Sequence, residues 1–365
     1  MNIVKDTQRY EQFIRKNIPL VESDLLLKHK KMGQSRFAFL RATYYRWAQN
    51  FSKTLPDLAK AQHITAIGDI HLENFGTFRD NDEQLVWGIN DFDEVDKMPY
   101  TNDLVRLATS ALIAIYESRL RIRPKKACEI ILDGYRDGLG GKGIIFIIKG
   151  RNHFLRRAYK EFSKDPRTWW KEMTELPLTD PTKLDISALE LLNKSLPASK
   201  WHVTLHIRVA GLGSLGHRRF LAIGTSIKNK KKEKEAYELK ELGPPATSWR
   251  DGMPYDFSLM KKIRTDDPSR KINKTWIIRR LAPDCIKLEF NSLPSKKKEE
   301  HLLHMMGQEL SNIHLKNSGM AFQILEDLDD RKNSWLFHAA FKMAKLADRD
   351  WNSWKNSHYF RHVSD

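Results

Sequence analysis

A change of pattern near residue 201 constrains this chain more than anything else in it. Before that point apolar residues recur at helical spacing. From about 201 to 290 they alternate instead, which is the period of a strand with one buried face. Residues 202–209, 219–223, 236–242 and 276–281 read as strands, with a glycine-rich turn at 211–216. A β-rich block inside a helical chain predicts an α+β protein. We divide it into a helical region 1–200, a β-rich region 201–290 and returning helices over 291–365.

The helical part has its own landmarks. In the first 47 residues Tyr10, Phe13 and Ile14 share a face, followed by Leu25, Leu26 and Leu27 and then by Phe37, Phe39, Tyr44, Tyr45 and Trp47. Residues 64–67 and 85–89 are short apolar runs that read as buried strands. Asn102 and Asp103 offer a cap for a helix whose apolar face is Leu104, Leu107, Ala108, Ala111, Leu112 and Ile115. Another helix over 128–135 is predicted to end at Gly138, Gly140 and Gly141. Residues 144–196 read as mostly helical, with Trp169 and Trp170 as packing residues. Leu302, Leu303, Met306, Leu310 and Ile313 mark a long amphipathic helix, and 335–354 a last one.

Composition excludes several classes. No stretch approaches the roughly 18 apolar residues that cross a bilayer, and residues 1–15 are too charged for a secretory leader; both point to a cytoplasmic protein. Two cysteines, Cys128 and Cys285, form no CxxC pair. This argues against a zinc site or a disulfide framework and for two small buried hydrophobes. With 63 basic against 46 acidic residues the net charge is +17, which attracts polyanions without choosing among them. The run at 228–234 reads as a solvated lysine loop, and Lys296, Lys297 and Lys298 stand just before a helix.

Three motifs carry chemistry. Gly68-Asp69-Ile70-His71-Leu72-Glu73-Asn74 follows a strand. Asp69 can accept the proton of an attacking hydroxyl, Asn74 can hold a magnesium ion that bridges nucleotide phosphates, and His71 braces the loop. Ile89-Asn90-Asp91-Phe92-Asp93-Glu94 ends the next strand. Magnesium needs one or two carboxylates beside its phosphates, and Asp91 and Asp93 supply them. With Glu94 and Asp96 they make four acids in six positions, a repulsion that a bound cation relieves. Gly211-Leu212-Gly213-Ser214-Leu215-Gly216 lies between two predicted strands, not before a helix. It therefore reads as a hairpin that covers phosphates with backbone N–H groups, with Gly211, Gly213, Ser214 and Gly216 binding the cofactor. Lys240, on the following strand, supplies a point charge to the same phosphates.

These residues resemble a known group. The segment from Gly68 to Asn74 is similar to the catalytic loop of aminoglycoside and choline kinases, and Asn90-Asp91-Phe92-Asp93 to their metal-binding strand end. More closely, the chain resembles the bacterial DUF2252 family. The residues that carry this are Ser35-x-Phe37-Ala38-Phe39-Leu40-Arg41, Gly68 to Gly76, Asn90 to Glu94, Asp103-Leu104-x-Arg106-Leu107-Ala108-x-Ser110, the glycine loop, and Leu239-Lys240-Glu241. The resemblance implies a two-lobed protein-kinase-like fold in circularly permuted order. Ordinary kinases run glycine loop, lysine, hinge, helix, catalytic loop, metal aspartate. Here the last two come first, and the helix at 302–314 takes the place of the one before the catalytic loop. Two departures stand out. Position 67 is Ile where small-molecule kinases have His. No Glu is available to pair with Lys240 from the helix near 257–263, where Asp256 is the nearest carboxylate. Arg279 and Arg280 have no assigned role.

The resulting expectation is an enzyme, a phosphotransferase using ATP and magnesium to phosphorylate a hydroxyl on a small molecule or protein. Asp69, Asn74 and Lys240 are its catalytic residues, and Asn74, Asp91 and Asp93 its metal ligands. A nucleotide-binding pseudokinase, an AMP transferase and a basic nucleic-acid-binding protein are the alternatives. The basic surface could contact polyanions. The acceptor and the oligomeric state are not encoded in readable form.

Overall fold

The computed structural model describes all residues except 1, 142–144, 151–152, 164, 197–201, 229–230, 256, 288–294 and 365, and the side chains of 226–233 and 363–364. Trp201, where the pattern changes, and Asp256 therefore lie outside the described residues. The chain opens with four helices, α1 (Ile3–Asn17), α2 (Glu22–Gln34), α3 (Arg36–Ala42) and α4 (Tyr44–Thr54). Strands β1 (His63–Ala66), β2 (Phe75–Arg79), β3 (Leu85–Ile89) and β4 (Asp96–Pro99) lead into α5 (Tyr100–Tyr116) and α6 (Pro124–Gly140). Then come β5 (Phe146–Ile147), α7 (His153–Phe162), α8 (Pro166–Thr174), β6 (Leu178–Thr179) and α9 (Ile186–Ser195). The β-rich region holds β7 (Val203–Ile207), β8 (Arg219–Lys228), β9 (Lys231–Glu241), α10 (Ala246–Asp251), α11 (Ser258–Lys262), β10 (Lys271–Asn273) and β11 (Trp276–Leu281). Helices α12 (Lys296–Ser318), α13 (Ala321–Asp329), α14 (Trp335–Lys355) and α15 (His358–Ser364) complete it. The architecture is α+β, with more helix than strand. No described helix is long and apolar enough to cross a membrane.

Three sheets form. Six strands lie in the order β10-β11-β9-β8-β7-β6, three in the order β2-β3-β5, and β1 pairs with β4. Every described pairing is antiparallel. The six-stranded sheet begins before residue 201, because β6 pairs with β7. The lysine-rich run is not a loop. Strands β8 and β9 continue through it, with Thr225 opposite Lys234 and Lys228 opposite Lys231; only 229–230 fall outside the described residues. Lys296, Lys297 and Lys298 likewise form the first turn of α12 instead of preceding it.

One helix organises the core. Every residue of α5 from Tyr100 to Ala114 is buried, so the helix is enclosed on all sides. Truncating Leu104, which has 0% exposure, to Ala would cost about 2–5 kcal/mol. Helices α6 and α12 pack backbone to backbone at Gly134 and Gly307, where a Cβ on either would strike main-chain atoms of the other helix. Gly138 is an interior residue of α6, pressed on Ser311, and does not end that helix. Trp169 and Trp170 pack against Leu221, Ile223, Ala236 and Leu281, on one face of the six-stranded sheet. Cys128 is buried, Cys285 is only partly so, and both are free thiols.

Candidate active site

The loop between β1 and β2 is fixed from beneath. Gly68 has φ +84°, a left-handed conformation, and a Cβ there would lie 2.5 Å from the Glu94 carbonyl oxygen; glycine meets both demands. Asp103 does not cap α5, whose N-cap is Pro99. It sits inside the first turn, and its carboxylate accepts the backbone N–H of Ile67 at 2.7 Å and of Gly68 at 3.0 Å. His314 of α12 meets the same carboxylate at 3.0 Å, and Tyr135 meets the other ring nitrogen of His314 at 2.7 Å. His71 braces the turn as expected, its Nδ1 accepting the Glu73 N–H at 3.1 Å.

On this base Asp69 is held by one oxygen. Arg106 donates to Asp69 Oδ1 from Nε at 3.1 Å and from Nη2 at 2.5 Å. The guanidinium also donates to the Leu40 carbonyl at 2.7 Å and lies over the rings of Trp47 and Tyr44. Oδ2 is left facing the glycine loop, 3.8 Å from where a Cβ on Gly213 would be. Burial raises the Asp69 carboxyl above its ordinary value, with Arg106 pulling it back. That direction improves a proton acceptor.

Asn74 is 4% exposed, and its Nδ2 donates to the carbonyls of Asp69 at 3.3 Å and Asp91 at 3.1 Å. Its Oδ1 is buried with no hydrogen-bond partner. A buried acceptor left unpaired is costly, and a hard cation satisfies an amide oxygen.

Asp91 and Asp93 flank Phe92, whose side chain is buried. Lys240, 7% exposed and on β9, reaches both: Nζ lies 3.4 Å from Asp91 Oδ1, and 2.6 and 2.5 Å from the two oxygens of Asp93. Burial would raise both carboxyls. Beside Lys240 the Asp91 group nevertheless falls well below its usual range. Asp93, buried and facing the Asp91 charge, is pushed up. Each member of the four-acid cluster has a partner within the chain. Lys240 takes two members, Glu94 accepts the Ala246 N–H at 2.6 Å, and Asp96 accepts the Thr247 hydroxyl. Lys240, which lacked a helix Glu in the sequence, pairs with these aspartates instead.

The glycine loop joins β7 to β8. Gly211 and Gly216 take φ +75° and +102°, and a Cβ on Gly216 would meet Leu25 of α2 at 2.5 Å. Val21 donates to the Gly216 carbonyl at 2.8 Å, and Lys28 to the Gly213 carbonyl at 2.9 Å. The Ser214 N–H is spent on the Gly211 carbonyl at 3.2 Å, and the Ser214 hydroxyl accepts from Arg219 at 2.7 Å, so Ser214 holds the loop's own turn.

Asp69, Asn74, Asp91, Asp93, Gly213 and Ser214 line one cavity of about 70 Å³, room for a few water molecules. Lys240 closes it from the sheet side through the two aspartates; Gly211 and Gly216 are the loop's pivots. Lys28, Arg41 and Glu94 also line it; Arg41 and Glu94 stood in motifs without a role at the site, and Lys28 was not singled out from the sequence. Lys28 left a trace there: with Leu25, His29 and Met32 it completes the buried stripe of α2. Among the described residues no three His, Cys, Asp or Glu gather into a ready metal cage.

Residues 20–141 match the family described as "Uncharacterized protein conserved in bacteria (DUF2252)". The matched stretch contains Asp69, Asn74, Asp91, Asp93, Asp103 and Arg106, and ends before the glycine loop and Lys240. No curated protein and no solved structure matches the chain.

Proposed function

We propose that the protein is an ATP- and magnesium-dependent phosphotransferase of kinase-like, circularly permuted architecture. The observation that carries this reading is the contact of Lys240 with Asp91 and Asp93. Partners 149 and 147 residues apart meet where a triphosphate would need both signs of charge. The unpaired Oδ1 of Asn74 beside them suits a magnesium ligand. When bound, that ion would neutralise phosphate charge and orient the transferring group.

The roles follow from position. An acceptor hydroxyl near Asp69 gives its proton to Oδ2, while Arg106 keeps Oδ1 engaged and the carboxylate aimed. The hydroxyl oxygen forms a bond to the γ-phosphorus, the bond to the β-γ bridging oxygen breaks, and ADP departs with that electron pair. Lys240 holds the phosphates. Catalysis is then positioning and charge neutralisation. The cavity is smaller than a nucleotide, so binding requires the glycine loop to lift from Asp69, pivoting where Gly211 and Gly216 allow it. The permuted order is supported by the path after β11. The chain runs by way of Ile286, whose carbonyl accepts the Thr77 N–H at 2.9 Å, to α12, which carries Glu309 to the Ile89 N–H at 3.2 Å.

Thermal shift and single-turnover assays with labelled ATP, with and without magnesium, test the reading. ATP with magnesium should stabilise the protein and be consumed, and Asp91→Ala should abolish both effects while the chain stays folded. Full turnover in Asp91→Ala would remove the assigned roles.

A further inference from the structure

The cleft-facing side of the six-stranded sheet carries more charge than Lys240 alone. Glu238, two residues earlier on β9 and on the same face, is 2% exposed. Three arginines converge on it. Arg279 of β11, directly opposite in register, bonds Oε1 from Nε at 3.0 Å. Arg219 of β8 approaches Oε2 with Nη1 at 2.9 Å, and Arg208, just past β7, approaches the same oxygen. Oε2 gains no well-aligned hydrogen bond from either.

The charge does not balance locally. Three guanidiniums share one carboxylate, and Asp91 and Asp93, which also attract Arg219, are held by Lys240, so four cations face three acids. Arg219 is 7% exposed, so water does little to screen it. Burial and mutual repulsion lower Arg208 to about 9 and Arg219 to about 10, from an ordinary value above 12. The cluster also touches the rest of the site: Arg219 holds Ser214 of the glycine loop, and Arg279 donates to the Asn90 carbonyl at 3.3 Å, beside Asp91. Planar, donor-rich guanidiniums crowded at one place match a phosphoryl group, which accepts several of them at once.

We propose that Arg208, Arg219 and Arg279, set around Glu238, form a phosphoryl-binding subsite beside Lys240. It rests on the phosphotransferase reading and extends it. Lys240 and the aspartates grip one part of a polyphosphate, and the arginine cluster takes another phosphoryl group, from the same nucleotide or from a separate phosphate. A cation brought to Asp91 and Asp93 would make the cluster's surplus larger and the anion more necessary.

The test is equilibrium binding of ATP, adenosine, tripolyphosphate and inorganic phosphate to the wild type and to Arg279→Gln, by calorimetry or thermal shift. Arg208→Gln is the second variant, should the first not fold. Losing one of three crowded cations should leave the unliganded midpoint unchanged or higher. ATP affinity should fall roughly ten- to a hundredfold, while any adenosine binding stays the same. Arg279→Lys should recover part of the loss. Weakened tripolyphosphate or inorganic phosphate with unchanged ATP would keep the subsite and assign it to a separate phosphate. Equal binding of ATP, tripolyphosphate and inorganic phosphate by wild type, Arg279→Gln and Arg208→Gln overturns the subsite and, where ATP binds, leaves the phosphotransferase standing. No binding of ATP or of either phosphate compound by the wild type sinks both.

Discussion

The two walls of the cleft are built on opposite principles. On the loop wall, residues 67–74, the principal charged and polar groups have oriented partners: Asp103 holds two backbone N–H groups, His314 holds Asp103, and Arg106 holds Asp69. On the sheet wall, like charges are crowded, with three arginines on Glu238 and one lysine across two aspartates. The first wall is held in place by its own bonds, with the Asn74 Oδ1 left unpaired. The second is under electrostatic stress that an anion would relieve. Preorganised groups suit chemistry, and stressed groups suit binding.

That contrast breaks if the walls do not separate function. Asp69→Asn, on the loop wall, should lower single-turnover phosphoryl transfer by about 10²–10⁴-fold, the usual contribution of a positioned proton acceptor. Nucleotide affinity should remain. A parallel loss of affinity, measured by titration of the same variant, would show that the loop wall also binds.

The next test concerns stability. Asp103 is fully buried and accepts the Ile67 and Gly68 N–H groups beside His314, and each buried donor left unpaired costs about 1–3 kcal/mol. Asp103→Ala should therefore shift the denaturation midpoint strongly downward. Trimming an arginine from the sheet wall should do the reverse or nothing. Equal destabilisation on both walls would erase the distinction.

A smaller effect sharpens the boundary between α12 and β3. Burial raises the Glu309 carboxyl to about 7, against the bonds it accepts from Asn312 and the Ile89 N–H. The folded chain therefore favours the protonated acid. The stability this gives is complete below the unfolded value near 4.5 and is lost as pH rises through about 7. Glu309→Gln does not titrate, so it should gain on the wild type by about 1–3 kcal/mol between pH 5 and pH 8. Denaturant midpoints across that range check it, and parallel pH profiles would refute it.

The loop wall was the more legible in the sequence, because its chemistry is written in short, fixed spacings. Gly68, Asp69 and Asn74 lie within one turn, so their convergence needs no knowledge of the rest. Arg106 was visible only as part of a motif; its contact with Asp69 depends on how α5 passes under the loop. Asp103 looked like a cap, since Asn-Asp before an apolar stripe usually is one. The helix instead starts at Tyr100, and the carboxylate turns toward β1. The sheet wall was harder to read. Arg219, Glu238 and Arg279 come from three strands and Arg208 from the end of a fourth, and only the register of the sheet brings them together. The lysines of the long hairpin obscured the strands because an unbroken charged run, Lys230 to Glu235, carries no strand period. Strand β2, with Gly76 in its middle, offered no apolar run to find.

The His314–Asp103 bond spans 211 residues and the Arg46–Asp350 pair 304. During synthesis the stretch bearing Asp69 and Asp91 leaves the ribosome well before α12 and α14 exist to support it. Until translation reaches those helices, the nascent loop has no footing under Asp103. A partly made polypeptide should therefore lack an ordered loop around Asp69, and the site should take shape only once α12 is made.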